Sequence, residues 1–151
     1  MLFRRREELA AVFHKESVFL EPEAKGIFLK QLDAVPVSLS AGSAEIFLKA
    51  CEEAHVSPRV TCISTTRSTA LEWTRVKAAI AIVPVEPKES LGETFFIKPI
   101  IDLETDIHKT VVKVKDRPLS VAAQHFLRFY ARTRGSQQVC NLEELLKREA
   151  I

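Results

Sequence analysis

Apolar positions along the chain switch between two periods, and each switch marks a change of element. Leu9, Ala10, Ala11, Val12, Phe13 and His14 form a first apolar run, read as a strand over 9–14 that Lys15, Glu16 and Pro22 bring to an end. A short helical turn over 27–32 precedes a second strand, Val35-Pro36-Val37-Ser38-Leu39. That strand runs into Ser40-Ala41-Gly42-Ser43, small residues with helix N-cap chemistry. Beyond it Ala44, Ile46, Phe47, Ala50, Cys51 and Ala54 recur at spacings of three and four, one helical stripe that ends near His55. The unit then repeats. Arg59-Val60-Thr61-Cys62-Ile63 is rich in β-branched residues and reads as a strand. Ser64-Thr65-Thr66 caps a helix over 67–76, and the apolar run 78–83, bounded by Pro84 and Pro87, suits a strand covered on both faces. Two strand-loop-helix units in series predict an α/β domain: a parallel sheet flanked by helices.

After Gly92 the pattern is extended over 94–97 and again over 107–114, where Lys109, Val111, Lys113 and Lys115 share a side. A helix over 119–131 follows, with Pro118 near its start and Ala122, Phe126, Phe129 and Tyr130 as its packing residues. Residues 135–139 read as a linker, and Asn141 as the cap of a last helix over 142–150 with Leu142, Leu145 and Leu146 on an apolar edge.

Composition narrows the class. The 151 residues are 46% hydrophobic and 28% charged, the balance of a globular domain rather than a disordered or fibrous chain. Lys and Arg number 22 against 20 Asp and Glu, a formal charge of +2. That is no nucleic-acid coat, and the basic groups Arg4-Arg5-Arg6 and Arg128, Arg132, Arg134 have no groove-reading element beside them. Cys51, Cys62 and Cys140 are odd in number and form no CxxC pair, which favours reduced thiols in a cytoplasmic protein. No apolar run approaches the ~18 residues of a membrane span, and the first residues lack a signal peptide's apolar region.

The chemistry concentrates in two loops. Ligands of open α/β sheets sit outside the carboxyl ends of the strands, where helix N-termini present free N–H groups and a favourable dipole. Ser40, Gly42 and Ser43 after one strand, and Ser64, Thr65 and Thr66 after the next, are the candidate ligand-binding residues, and they suit a carboxylate or another small anion. Two readings stay open: ligand contacts, or helix caps alone. Arg67, in the first turn of its helix, either assists such an anion or points to solvent. Cys51 and His55 stand four apart as a nucleophile and base would, but no acidic partner or oxyanion loop accompanies them, so Cys51 reads as a buried, inert thiol. His14, His108 and His125 have no metal-ligand spacing. Asp102, Glu104 and Asp106 read as a solvated turn, and Trp73 as packing on its helix. No metal, cofactor or catalytic residue is assigned.

Several of these pieces, in this order, resemble the effector-binding domain of LysR-type transcriptional regulators. They are Pro36-Val37-Ser38-Leu39-Ser40, the stretch Cys51-Glu52-Glu53-Ala54-His55-Val56-Ser57-Pro58-Arg59-Val60, the Ser/Thr-rich run 64–69, and Trp73-Thr74-Arg75 leading into Ile80-Ala81-Ile82-Val83-Pro84. Lys115-Asp116-Arg117-Pro118-Leu119-Ser120-Val121-Ala122-Ala123-Gln124-His125-Phe126 is similar to that family's closing strand and helix. The resemblance implies a periplasmic-binding-protein-like (type 2) fold of two α/β lobes with a small effector between them. Residues 1–134 would be a partial effector-binding domain, the second lobe at about 15–100, with the C-terminal strand and helix belonging to the first lobe; 135–151 would be a tail helix. It also implies a cytoplasmic homo-oligomer that reaches DNA only through an N-terminal domain missing from this chain. One position departs from the pattern: where the family has Gly-x-Gly after the Trp73 helix, this chain has Lys77 and Ala79. Lys77 must carry a left-handed backbone, or the turn is built differently. The alternatives are a free-standing solute-binding or protein-interaction module and a small enzyme built on Cys51 and His55.

Overall fold

Five of the strands put alternate residues on opposite faces of one sheet, and that alternation sorts the core into two layers. The structure, a computed structural model, describes residues 3–133. In chain order the elements are β1 (Phe3–His14), a 3-10 turn (Leu29–Leu32), β2 (Pro36–Ser40), α1 (Ala41–Glu53), β3 (Arg59–Ser64) and α2 (Arg67–Arg75). Then come β4 (Ile80–Val85), β5 (Phe95–Pro99), β6 (Ile107–Val111) and α3 (Val121–Thr133). They form two units, a larger one, Glu7–Ile107, and a smaller one whose described residues are 3–6 and 108–133.

In the larger unit the sheet runs β3-β2-β4-β1-β5. β2 is parallel to both β3 and β4, as two βα units in series require. β1 is antiparallel to β4 and to β5, so the expected parallel sheet is a mixed one whose parallel part is β3-β2-β4. Leu9, Ala11 and Phe13 of β1, Val37 and Leu39 of β2, and Ile80 and Ile82 of β4 face one side, where Ala44, Phe47 and Cys51 of α1 cover them. Ala10, Val12, Ala81, Val83 and Val85 face the other side, against Ala70 of α2. Each large side chain buried this way contributes about 1.5–3 kcal/mol.

Both helices end the same way. Val56 N–H donates to Cys51 O and His55 N–H to Glu52 O at the end of α1; Ala78 N–H donates to Trp73 O and Lys77 N–H to Thr74 O at the end of α2. These are Schellman motifs, which need a left-handed residue at their centre. His55 (φ 54°) and Lys77 (φ 61°) supply it without being glycine. Lys77 therefore carries the strain, and its ammonium pairs with Glu16 across the sheet end.

Several expectations change. β1 starts at Phe3, not Leu9, because its first half, Arg4 to Glu8, is an unbroken charged run that carries no apolar period. Ile46 and Ala54 are exposed, and Leu48 is half-buried in their stead. β6 stops at Val111, short of the strand expected over 107–114. On α3 the buried residue is Leu127, while Phe126 and Phe129 are 58% and 66% exposed and Ala122 is exposed too. Asp102 is more than a solvated turn: its Oδ1 accepts from Leu29 N–H at 2.9 Å and anchors the 3-10 turn. The linker at 135–139 and the helix at 142–150 lie outside the described residues. No helix among the described residues is long and apolar enough to cross a membrane.

Candidate functional site

Strand direction brings the candidate residues to one edge of the larger unit. The parallel strands β2, β3 and β4 all end there, Ser40 sits opposite Ser64, and the antiparallel β1 enters beside them with Glu8 opposite Val85. The first turns of α1 and α2 follow directly from Ser40 and from Thr66.

The hydroxyls divide into two kinds. Thr66 caps α2: its Oγ1 accepts from Thr69 N–H at 3.3 Å and lies 3.0 Å from Thr69 Oγ1. Ser64, nearly buried, donates to Thr66 O at 2.7 Å and holds the loop between β3 and α2 in place. Ser40 occupies the N-cap position of α1 but makes no capping bond; its Oγ lies 2.9 Å from Ser43 Oγ. Ser43, also buried, is placed to donate to Ser40 O at 3.3 Å. The first N–H groups of α1 thus receive no hydroxyl from Ser40, whereas those of α2 are capped by Thr66. Thr65 and Gly42 are exposed, and a Cβ at Gly42 would meet nothing within 4 Å.

Arg67 does not point simply to solvent. Its guanidinium donates to Pro84 O at 3.0 Å and grips both oxygens of Glu89, through Nη1 to Oε2 and Nη2 to Oε1. The hydrogen bond with Glu89 is the main reason its pKa stands above the ordinary arginine value; burial opposes that, and the charges of Glu89, Glu7 and Glu86 add to it. Glu89 also accepts from Glu86 N–H at 3.0 Å. The pairing is a feature that sequence reading misses: Arg67 stands out as a cation that could meet an anion, but nothing marks Glu89, 22 residues on, as that anion.

The chemistry drawn for Cys51 does not arise. Burial pushes its thiol up to about 11, the reverse of an activated nucleophile, and His55 stands past the end of α1 in the left-handed conformation. Trp73 is half-buried on α2.

No protein-family model matches the sequence, and no curated protein sequence matches it. Solved structures do match the fold. The effector-binding domain of QuiR in complex with shikimate is 16% identical, with a TM-score of 0.62 over 86% of this chain and 64% of that one. The regulatory domain of Synechocystis PCC6803 CcmR in complex with 2-PG is 13% identical, with a TM-score of 0.65 over 88% of this chain and 65% of that one. This is the LysR-type effector-binding fold. HinK, a LysR family transcriptional regulator from Pseudomonas aeruginosa, matches at 13% identity and a TM-score of 0.62 over 88% of this chain but 47% of its own. The chain therefore spans between 47% and 65% of the length of these three structures.

Proposed function

We propose that the chain is a small-molecule effector-sensing domain of a LysR-type transcriptional regulator. The observation that carries this reading is the edge where Ser40 and Ser64 end adjacent parallel strands and two helices begin, in a fold whose solved examples hold shikimate and 2-PG. Ser40, Gly42, Ser43, Ser64, Thr65 and Thr66 are the proposed contacts, with the uncapped N–H groups of α1 and the exposed Thr65 hydroxyl as donors to a small organic acid. The unit Glu7–Ile107 acts as one lobe of a two-lobed sensor. Effector binding favours one state of the domain, and in a cytoplasmic homo-oligomer that preference passes to a separate DNA-binding domain. Calorimetry against shikimate, 2-PG and a panel of aromatic and aliphatic acids tests the reading. Saturable binding that weakens several-fold in Thr65→Ala and Ser40→Ala supports it; absence of binding to every acid overturns it. Ultracentrifugation tests the oligomer, and a monomer at all concentrations removes that part.

A further inference from the structure

Arg67 is the first residue of α2, where the helix dipole is positive and a cation is badly placed without an anion beside it. The anion is supplied from within the chain. Glu89 closes a tight turn, Glu86-Pro87-Lys88-Glu89, whose Glu89 N–H donates to Glu86 O at 3.0 Å, and from that turn its carboxylate meets the guanidinium through two parallel bonds. Two parallel N–H···O bonds are how a guanidinium receives any planar carboxylate.

Three observations set this contact apart from a pair that merely braces the sheet. It lies at the edge where β2, β3 and β4 end, beside the proposed ligand loops. It is only partly buried, with side-chain exposures of 31% for Arg67 and 18% for Glu89, so the carboxylate can leave without opening the core, giving up Glu86 N–H as it goes. Its tether is under tension: Pro87 at the second position and Lys88 in the left-handed conformation (φ 62°) at the third make a turn that prefers glycine where Lys88 stands.

We propose that Glu89 is a built-in competitor that occupies, on Arg67, the place of an effector's carboxylate. This deepens the sensor reading and rests on it. In the free domain the turn 86–89 is held down and Arg67 is masked; a ligand carboxylate takes the guanidinium and releases Glu89 to water. The surroundings also select among anions. Glu86 opens the turn that carries Glu89, and Glu7 precedes Glu8, which pairs with Val85 at this edge; the charges of both act on Arg67, so a ligand bringing a second negative charge close to the first meets repulsion. The class that fits is a monocarboxylate rather than a phosphate or a compact dicarboxylate.

Acetate is the probe that needs no knowledge of the effector, read at the Arg67 Nε–H signal in 15N NMR of the full chain. Glu89→Gln keeps the side chain's shape and removes its charge; it should bring acetate and benzoate to Arg67 about tenfold more tightly than wild type, as when a site masked nine-tenths of the time is freed. Phosphate should gain far less. Glu89→Asp, which keeps the charge on a shorter stem, should fall between and serves if the glutamine variant does not fold. Arg67→Gln should remove the response in either background. An Arg67 signal that acetate does not move in Glu89→Gln, or moves equally in wild type, overturns the proposal. If acids bind the wild type but bind Glu89→Gln no more tightly, the sensor reading stands and the competitor falls. If acetate reaches Arg67 in the variant while no organic acid binds either protein, the sensor reading falls and the competition at Arg67 remains.

Discussion

Cys51 shows how far one residue's surroundings decide its chemistry. Its place on the apolar stripe of α1 already marks it as core, and burial with the nearby Asp102 charge holds its thiol at about 11. Because the folded value lies above the ordinary one, the neutral thiol favours the folded state: that stabilisation is complete below about pH 9 and is lost as pH rises towards 11. Native protein treated with iodoacetamide at pH 8 should leave Cys51 unmodified while the half-buried Cys62 reacts, read by peptide mass mapping; rapid labelling of Cys51 would contradict its burial. Lys77 is the opposite case, since its conformation was foreshadowed by the glycine that the resemblance expects there. Relief of left-handed strain is worth about 1 kcal/mol, so His55→Gly should raise stability by about that much in urea unfolding. Lys77→Gly should gain less, having lost its contact with Glu16. Of the Arg67–Glu89 pair only Arg67 was legible, as a cation that could meet an anion; Glu89 was not, because only folding brings residues 22 apart to one edge.

Elements were legible where period and neighbours agree. α2 falls within a residue of where the pattern puts it, because Thr66 caps it, whereas β4 starts two residues later than the expected run 78–83 and continues through Pro84 to Val85. α3 is the failure that teaches most. Of the four packing residues the sequence suggests, Ala122, Phe126 and Phe129 are left outward and Tyr130 is half-buried with its ring stacked on Phe126, while the buried residue is Leu127, on a second stripe with Ala123 and Ala131. Periodicity gives a helix its faces; only the partner chooses between them. Leu127→Ala should therefore cost about 2–4 kcal/mol in the unfolding of its unit, whereas Phe129→Gln should stay within about 0.5 kcal/mol. Equal losses would mean that Phe129 is covered in solution. Between elements, Ser38 is buried and donates to Ala70 O at 2.8 Å, tying β2 to α2. Removing that hydroxyl in Ser38→Ala should cost about 1–2 kcal/mol by the same measurement.

At the scale of the molecule, the parallel half of the sheet was readable because each βα unit dictates its own crossover. The antiparallel half was not, since nothing local tells β1 which way its partners run. Burial predicts a gradient of protection across that sheet. Ala11, Val12 and Phe13 of β1 and Ile80, Ala81 and Val83 of β4 are fully enclosed, while β3 is an edge strand exposed at most positions. Hydrogen exchange should find the amides of β1 and β4 slowest and those of β3 fastest among these strands. The reverse order would place the stable centre elsewhere.

The position of β1 has a further consequence in time rather than in space. Its partners in β4 and β5 lie about 70 to 80 residues or more downstream. At a synthesis rate of about 5–20 residues per second, the apolar run from Leu9 to Phe13 waits several seconds on the ribosome before either neighbour exists. A run that ends up enclosed on both faces of the sheet is thus one left exposed while the chain is being made. A chain arrested before Ile80 emerges should be cleaved by protease within that run, and one arrested with β5 outside the tunnel should not.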